Sequence, residues 1–524
     1  MVLDLSIRRR PRLPALNVSF MQRPLLRFGR GVAVACLFWG HSLAFASDEG
    51  ALKRLAEAQQ LYSSKQYFKA ARYAFAAIDE NPARRAEANA WVTVSLVEAG
   101  LEQAASYFFI QTLAQGERSA IRKVLAKTER VLAAVGPDVL TPYLIKHTSA
   151  SDYDSRNREA YLYVVARQAL ISGDEKRALS LLQTISPEAK NAGELYQLRA
   201  TVQASLGNLT ASFEDYQACE RLASLQDLKN RCIAGQARVL YEREQFAEAD
   251  RVYDRVAKQS LVWPEILFEQ AWNSYRRSEF NRTLGKLVSY KSPALSFVFN
   301  PEVDVLRAQS FLSLCLYNDA NQVVDDFNRT YALVGDRVKE LLLKNEKSLS
   351  AFFDAGKLVV AQPLTSSQPL NRVMNRFVRS PSFQRWVQSE RDLMVELQNI
   401  RGFAAAQPGV ALEKGKGFPD FLAEVLNFRL KAIRALAGVF VKNSLLDYYS
   451  ELISNYEKMS FIRLEMLRRF KEKLLSKKAA SEERGRGNVR PTRRDDQYYW
   501  SFNGEFWNDE LGDYVFGLES ECHD

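Results

Sequence analysis

One periodicity constrains this chain more than any other feature. Small residues recur in pairs at a spacing of about 34 residues, the signature of an array of helix pairs. Repeats start near Ala51, Ala86, Glu159, Gly193, Asn230, Pro264 and Pro301, with steps of 35, 73, 34, 37, 34 and 37. The eighth position holds Ala58, Ala166, Ala200, Ala237, Ala271 and Ala308; twelve residues later stand Ala70, Ala178, Ser212, Ala249, Thr283 and Ala320. Two antiparallel helices approach closely only where both carry short side chains, so the pattern predicts helical hairpins. Tyr216, Tyr253 and Leu287 then fill the gap to the next repeat. Pro82 closes the first repeat, where a helix must stop. Glu98-Ala-Gly100, Ile171-Ser-Gly-Asp174 and Ser205-Leu-Gly-Asn208 mark turns between apolar runs. The step of 73 spans two periods, so a degenerate repeat is expected within residues 120–158.

Over residues 51–330 these pairs resemble the tetratricopeptide repeat (TPR) family. The resemblance implies a right-handed superhelix whose groove binds peptides or protein partners, and it implies no catalysis. In that register the first helices line the groove with Tyr163 and Arg167, then Arg238 and Tyr241, then Phe268, Trp272, Tyr275 and Arg276. Aromatic and Arg side chains are favoured at protein interfaces because they bury much area with few torsions. The competing reading has these aromatics packing between repeats. Composition agrees with a folded helical chain: 47% apolar residues exclude wholesale disorder, and 16 Pro with 24 Gly among 524 residues are few for a turn-rich β fold. The expected fold class is all-α: a TPR-like α-solenoid over 47–335, a long-helix region over 336–475, a basic linker over 476–497 and an aromatic hairpin or tail over 498–524.

Residues 1–46 read as a secretory signal peptide. Arg23, Arg27 and Arg30 precede the apolar run 31–40, and Ala44-Phe-Ala46 before Ser47 supplies a small-x-small cleavage site. The run is shorter than the roughly 20 residues a membrane span needs. Cys36 lies inside the apolar run, which argues against a lipoprotein. The chain carries a formal charge of +10, but seven Arg and one Asp sit in this segment, so bulk charge implies no polyanion partner. Location in the periplasm or at the outer membrane follows as the expectation.

Beyond Asp336 the repeats give way to longer helices. Pro363–Pro369 reads as a loop and Ala405–Gly417 as a break. Residues 382–400 predict a helix with Phe383, Trp386, Met394, Leu397 and Ile400 on one side. From Asp420 to about Ser476 there is no Pro and one Gly, Gly438, while apolar residues recur in steps of three and four from 422 to 474. That predicts one amphipathic helix about 85 Å long. Its narrow stripe needs cover: a coiled-coil-like hairpin with 382–400, or self-association through the same stripe. Residues 476–494 form a solvated basic tether. Contact with anionic lipid or lipopolysaccharide phosphates is its alternative role and the route to peripheral membrane association. No aromatics interleave there, so nucleic acid is not expected.

Eight aromatics crowd residues 498–516, with Asn503-Gly504 between two runs, the preferred centre of a type I′ turn. A small β-hairpin docked on the helical body is expected; stacking of Trp500 and Trp507 on carbohydrate is the alternative. Cys219, Cys232, Cys315 and Cys522 remain after export, and in an oxidising compartment an even count favours disulfides in one of three connectivities.

A narrower resemblance rests on Phe268-Glu-Gln-Ala-Trp-Asn-Ser-Tyr-Arg-Arg-Ser-Glu-Phe280, Leu284-Gly285, Ser292-Pro293, Asn300-Pro-Glu302, Leu314-Cys-Leu-Tyr-Asn-Asp-Ala320 and the tail from Tyr499 to Tyr514. These are similar to envelope TPR proteins of the gliding-motility-associated type. That group carries a cysteine near Cys315 and another near the end, which implies Cys315–Cys522 alongside Cys219–Cys232.

Catalytic inventories come up short. His147 and His523 are the histidines outside the leader, and there is no H-E-x-x-H, no G-x-S-x-G and no Gly-rich phosphate loop. Glu519-Ser520 lies too near the end to belong to a lytic domain, and Asp325-Asp326 and Asp495-Asp496 read as solvated. The expectation is a non-enzymatic scaffold without metal or cofactor. It would bind envelope proteins or peptides, with peptidoglycan binding as the alternative.

Overall fold

The computed structural model describes residues 40–188, 191–260, 262–346, 348–364, 368–406, 417–475, 493–495 and 497–522. Most of the leader, the core of the 405–417 break, nearly all of the basic tether and His523 lie outside the described residues. Among the described residues the chain is all-α apart from one short strand pair, and it divides into two units. One comprises residues up to Lys190 with Asp392–Leu426; the other comprises Asn191–Arg391 with Asn427–Asp524.

The first unit holds α1 (Gly40–Ser63), α2 (Tyr67–Ile78), α3 (Arg85–Glu98), α4 (Glu102–Gln115), α5 (Arg118–Leu125), α6 (Thr128–Val135), α7 (Pro137–His147), α8 (Ser155–Ile171) and α9 (Glu175–Gln183). The second holds α10 (Ala192–Ser205), α11 (Leu209–Leu222), α12 (Gln226–Glu242), α13 (Phe246–Tyr253), α14 (Trp263–Arg276), α15 (Phe280–Val288), α16 (Glu302–Ser313), α17 (Tyr317–Lys344), α18 (Leu349–Val360) and α19 (Pro369–Val378). Helices α20 (Pro381–Ala406) and α21 (Phe418–Leu475) contribute to both.

Each unit contains TPR-like helical hairpins, and the small-residue pairs sit where the helices touch. Every one of those twelve residues, from Ala58 and Ala70 to Ala308 and Ala320, has no exposed surface. Where the second member carries a hydroxyl, it bonds across the contact: Ser212 Oγ donates to the Ala200 carbonyl at 2.8 Å and Thr283 Oγ1 to the Ala271 carbonyl at 3.3 Å. Both hydroxyls are thus satisfied in a dry contact, where an unpaired one would be unfavourable.

The turn inside each hairpin has one geometry. The fifteenth repeat position is left-handed throughout: Lys65 (φ 62°), Gly100 (74°), Gly173 (79°), Gly207 (80°), Glu244 (58°), Ser278 (60°) and Cys315 (58°). The next residue's N–H always reaches back five positions, for example Gln66 to the Leu61 carbonyl at 2.9 Å and Glu279 to the Ser274 carbonyl at 2.9 Å. This is the Schellman helix ending, which satisfies carbonyls that the last turn would leave open. Three positions use glycine; the other four hold a side chain in a backbone region that costs L-residues about 1–2 kcal/mol.

The expected degenerate repeat within 120–158 is not formed as a hairpin. Three short helices, α5–α7, occupy most of it, because Gly136 (φ 84°) and Pro137 interrupt the segment and Pro142 lies within α7.

The long helices form, and the start of α20 packs on α21 as expected, with Phe383 and Trp386 against Phe440 and Glu390 paired with Arg434 at 2.7 Å, but further helices share the cover. In the first unit, Phe68, Phe75 and Phe108 pack with Phe403, Phe418 and Phe421 of α20 and α21, ring centroids 4.7–6.1 Å apart. Buried Glu396 accepts the Gln103 N–H at 2.7 Å and the Ala104 N–H at 3.0 Å, placing a carboxylate on the N-terminus of α4. The α20 register differs from expectation: Leu393 and Glu396 are buried, whereas Met394 is half exposed. In the second unit, the α21 stripe of Ala437, Val441, Leu445, Leu452, Met459, Ile462 and Met466 is buried with residues of α17, α18, α19 and the start of α20. The chain's own helices cover that stripe as far as Met466, while Phe470 on the same side stays exposed. Gly438 marks where α18 comes closest: a methyl there would overlap the Leu349 carbonyl.

The turn geometry yields a prediction. Replacing Lys65 or Ser278 with Gly removes left-handed strain, partly offset by the freer unfolded chain, and raises stability by about 0.5–1 kcal/mol. Urea midpoints should move upward for both variants; a downward shift would contradict a shared left-handed turn.

Candidate functional site

The first-helix residues expected to line a groove lie in both units. Tyr163 is half-buried and Arg167 exposed on α8 of the first unit. The other six lie in the second. Arg238 on α12 forms a bidentate pair with Glu269 (2.8–3.0 Å) and a 3.2 Å ion pair with Glu265, both on α14. Tyr241 stacks edge-on to Phe246 at 5.3 Å, and Arg276 lies 5.1 Å over the same ring while pairing with Glu244 at 3.4 Å. Phe268, Trp272, Tyr275 and Tyr290 pack against buried Ala271, Leu287, Val303 and Leu306. Trp272 meets Tyr275 edge-on at 5.6 Å, and the Tyr275 hydroxyl lies 3.3 Å from Ser313 Oγ on α16. These rings join one hairpin to the next, while Arg238 and Arg276 stay exposed.

A second surface is apolar. The outer side of α21 exposes Ile453, Phe461, Leu464 and Leu467, with Phe461 63% exposed, and Phe470 is exposed at the end of the stripe. Ile453, Tyr456, Phe461 and Leu464 line a shallow hollow of about 510 Å³. Arg463, Arg468 and Lys471 flank it, exposed. Among the described residues no helix is long and apolar enough to cross a membrane, and there is no group of three or more metal-ligating side chains. His147 sits in the last turn of α7, where burial and then Lys146 push its pKa down.

The C-terminal tail is built into the second unit. Strands β1 (Trp500–Ser501) and β2 (Tyr514–Val515) pair in parallel, with the Trp500 N–H donating to Asp513 O at 3.1 Å and the Phe502 N–H to Val515 O at 3.2 Å. The expected hairpin at Asn503-Gly504 is therefore corrected to a two-strand sheet closed by a longer loop. Burial decides it: Phe502, Phe506, Tyr514 and Phe516 cluster together against Trp263, Leu267, Val288 and Leu295, which a tight antiparallel turn would not allow on one side. Asn281 clamps the strand end, its side chain bonding both the N–H and the carbonyl of Leu518 at 3.0 Å and its carbonyl accepting the Phe516 N–H at 3.2 Å. Disulfides join Cys315 to Cys522 (Cα–Cα 5.1 Å) and Cys219 to Cys232 (5.8 Å). Across 207 residues, the former removes about 5 kcal/mol of unfolded-chain entropy in the loop-closure treatment. Trp500 and Trp507 remain about half exposed.

Beneath the tail lies a charge cluster that the sequence reading did not single out. Asp250 on α13 has no side-chain exposure, and its Oδ2 meets Arg282 (3.1 Å), Arg277 (3.4 Å) and Arg494 of the tail (3.3 Å). Arg494 also pairs with Asp254 at 2.6 Å. Tyr499 places its ring 5.3 Å from the Arg282 guanidinium, and burial pushes its phenol up to about 12. Lys286 is buried beside them, and burial lowers its pKa. Burial raises the Asp250 carboxyl, but Lys286, Arg282 and Arg277 outweigh that and hold it below the ordinary carboxylate range. The repeat register carried the missing signal: Asp250 directly follows small-position Ala249 and Arg282 directly precedes Thr283. Charges beside a buried helix contact must be paired.

Two outcomes test this docking. Gly285 faces the Tyr514 carbonyl, and a methyl there would overlap it. Gly→Ala in a helix ordinarily stabilises by about 1 kcal/mol. Here Gly285→Ala should instead displace β2 and speed hydrogen exchange at the Phe516 and Leu518 amides; unchanged protection would refute the contact. Asp250→Asn leaves three arginines and Lys286 without their shared carboxylate and should lower stability by about 3 kcal/mol at neutral pH. Because the folded carboxyl is held below its unfolded value near 3.9, its contribution is present above that pH and is lost as pH falls further. The variant's acid unfolding limb should be flatter, which a pH series of urea midpoints reads directly.

No family model matches the chain, and no curated protein matches it. Among solved structures, the TPR domain of P58(IPK) is 14% identical, covering 73% of this chain and 98% of its own length at a TM-score of 0.17. Yeast Tom70 is 12% identical, covering 82% and 99% at a TM-score of 0.26. At such scores these likenesses carry no argument. The TPR-like fold of this chain rests on its buried small-residue pairs and its seven matching turns.

Proposed function

We propose that this protein is a protein-interaction scaffold. One observation carries the reading: exposed apolar side chains, Ile453, Phe461, Leu464 and Leu467, on the side of α21 away from its buried stripe, where they edge a hollow that Glu457 and Ser460 also line. A contiguous apolar patch of this kind marks an interaction surface. Arg463 and Arg468 beside it pair with Asp325 and Glu465 of the chain itself, and Glu457 lines the hollow, so apolar area rather than charge suits it to an amphipathic partner segment. The reading extends to an exported protein of the periplasm or outer envelope, cleaved between Ala46 and Ser47. It extends further to a place in a gliding-motility or envelope-assembly complex. The leader-like composition and the motif resemblance support those extensions. No catalytic role is proposed.

A photo-crosslinking residue at position 464, compared with one at 276, tests the assignment in cells. Crosslinks to a discrete protein from 464, lost at least tenfold in Phe461→Asp with the Tm unchanged, are the expected result. Equal capture by that variant would remove the α21 surface from the account.

The second reading is peptidoglycan binding through the tail. Its support is the exposure of Trp500, Trp507 and Tyr498, flat rings free to stack on sugar. Sacculus retention of Trp500→Ala/Trp507→Ala decides between the readings, because loss of retention points to the tail and full retention rules it out.

A further inference from the structure

We infer that the junction between the tail and helices α13–α15 is a binding site for a phosphate-class oxyanion. A pocket of about 160 Å³ lies there, lined by Arg251, Arg277, Arg282, Arg493 and Arg494 with one carboxylate, Glu279. Two come from the tail and three from the helical body. The cluster is over-supplied with cations. Asp250, Asp254 and Glu279 pair with Arg277, Arg282 and Arg494, and Lys286 adds another buried cation. Arg251 and Arg493 have no ion pair among the described residues and stand exposed at the pocket's edge. Arg282 is 4% exposed, and its Nε is buried without a hydrogen-bond partner. Asp250 Oδ1 beneath it is likewise without a partner; an unsatisfied buried donor is unfavourable, and a bound ion or water is one thing that satisfies it.

Guanidinium forks match the oxygens of a tetrahedral oxyanion in pairs, and several converging on one point neutralise its two charges. The volume suits a single phosphate group. A phosphate bridging Arg251 and Arg277 on the body to Arg493 on the tail adds a non-covalent clasp to the disulfide at the other end. Ligand binding would then stabilise the docked tail by linkage.

The test uses the full chain, titrated with inorganic phosphate at ionic strength held constant with sodium chloride. A saturable rise in Tm is expected. Arg251→Ala/Arg493→Ala, whose side chains make no ion pair among the described residues, should weaken the apparent affinity at least tenfold with no change in Tm before phosphate is added. Arg251→Lys/Arg493→Lys keeps the charge without the fork and should fall between the two. A second arm identifies the source. If the anion is a lipid headgroup, vesicles containing phosphatidic acid sediment the wild-type chain and not the alanine variant; if it is free phosphate, they sediment neither while the Tm shift persists. An equal Tm rise in the alanine variant, or one reproduced by chloride, overturns the proposal.

Discussion

The structure depends on how closely two helices can approach. A helix pair whose contact residues are Ala, Ser or Thr brings its backbones near enough for side-chain hydroxyls to reach the opposite carbonyls, as Ser212 and Thr283 do. That approach fixes the separation of the pair, and the left-handed residue at the fifteenth position fixes the turn between them. With both set, the remaining surface of each hairpin has one place to go, against its neighbour. Tyr253, Leu287 and the Trp272–Tyr275 pair fill that gap. A hairpin of this kind cannot bury its apolar sides alone, so stability comes from stacking.

Stacking leaves an end to be closed, and the second unit closes it by two different means. Helix α21 lays a buried stripe along α17–α20, while the tail wraps rings and strand β2 over α14 and α15. The two differ in chemistry. The helix contact is apolar and non-directional, whereas the tail is fixed by polar contacts that specify its register: the Asn281 clamp, Ser289 receiving the Gly512 N–H at 3.0 Å, and Lys258 holding Asp513 at 2.8 Å. Burying Asp250 among arginines adds little net stability over an apolar core, yet it sets which tail residue arrives where.

Much of the helical fold was legible in the sequence, because helix contacts obey a period. The small residues of the repeats named the contacts, and Gly100, Gly173 and Gly207 named three turns. Lys65, Glu244, Ser278 and Cys315 share that turn geometry without the residue that advertises it, because neighbouring helices over-determine the backbone there. Where the period lapsed, between α4 and α8, the sequence still showed its breakers, Gly136 and Pro137, but not the three short helices they produce. The tail shows the opposite limit. Asn503-Gly504 is a local hairpin signal, and it lost to a non-local demand, the burial of four rings on one helix surface. The charge cluster was legible only in part: the repeat register placed Asp250 and Arg282 beside a buried contact, but nothing local tied Arg494 to them. Arg494 is an ordinary polar letter until the fold brings residues 244 positions apart within an ion pair.

The two closures also divide the molecule's chemistry. An apolar row left exposed on α21 gains from any partner that covers it, in proportion to area, and discriminates weakly. The arginine-lined junction is small and directional, so it discriminates by charge and geometry while contributing little area. An array that ends in both can hold a partner by one and respond to an anion through the other. Because Arg493 and Arg494 lie where the basic tether meets the docked tail, whatever binds there acts on the same contact that closes the array.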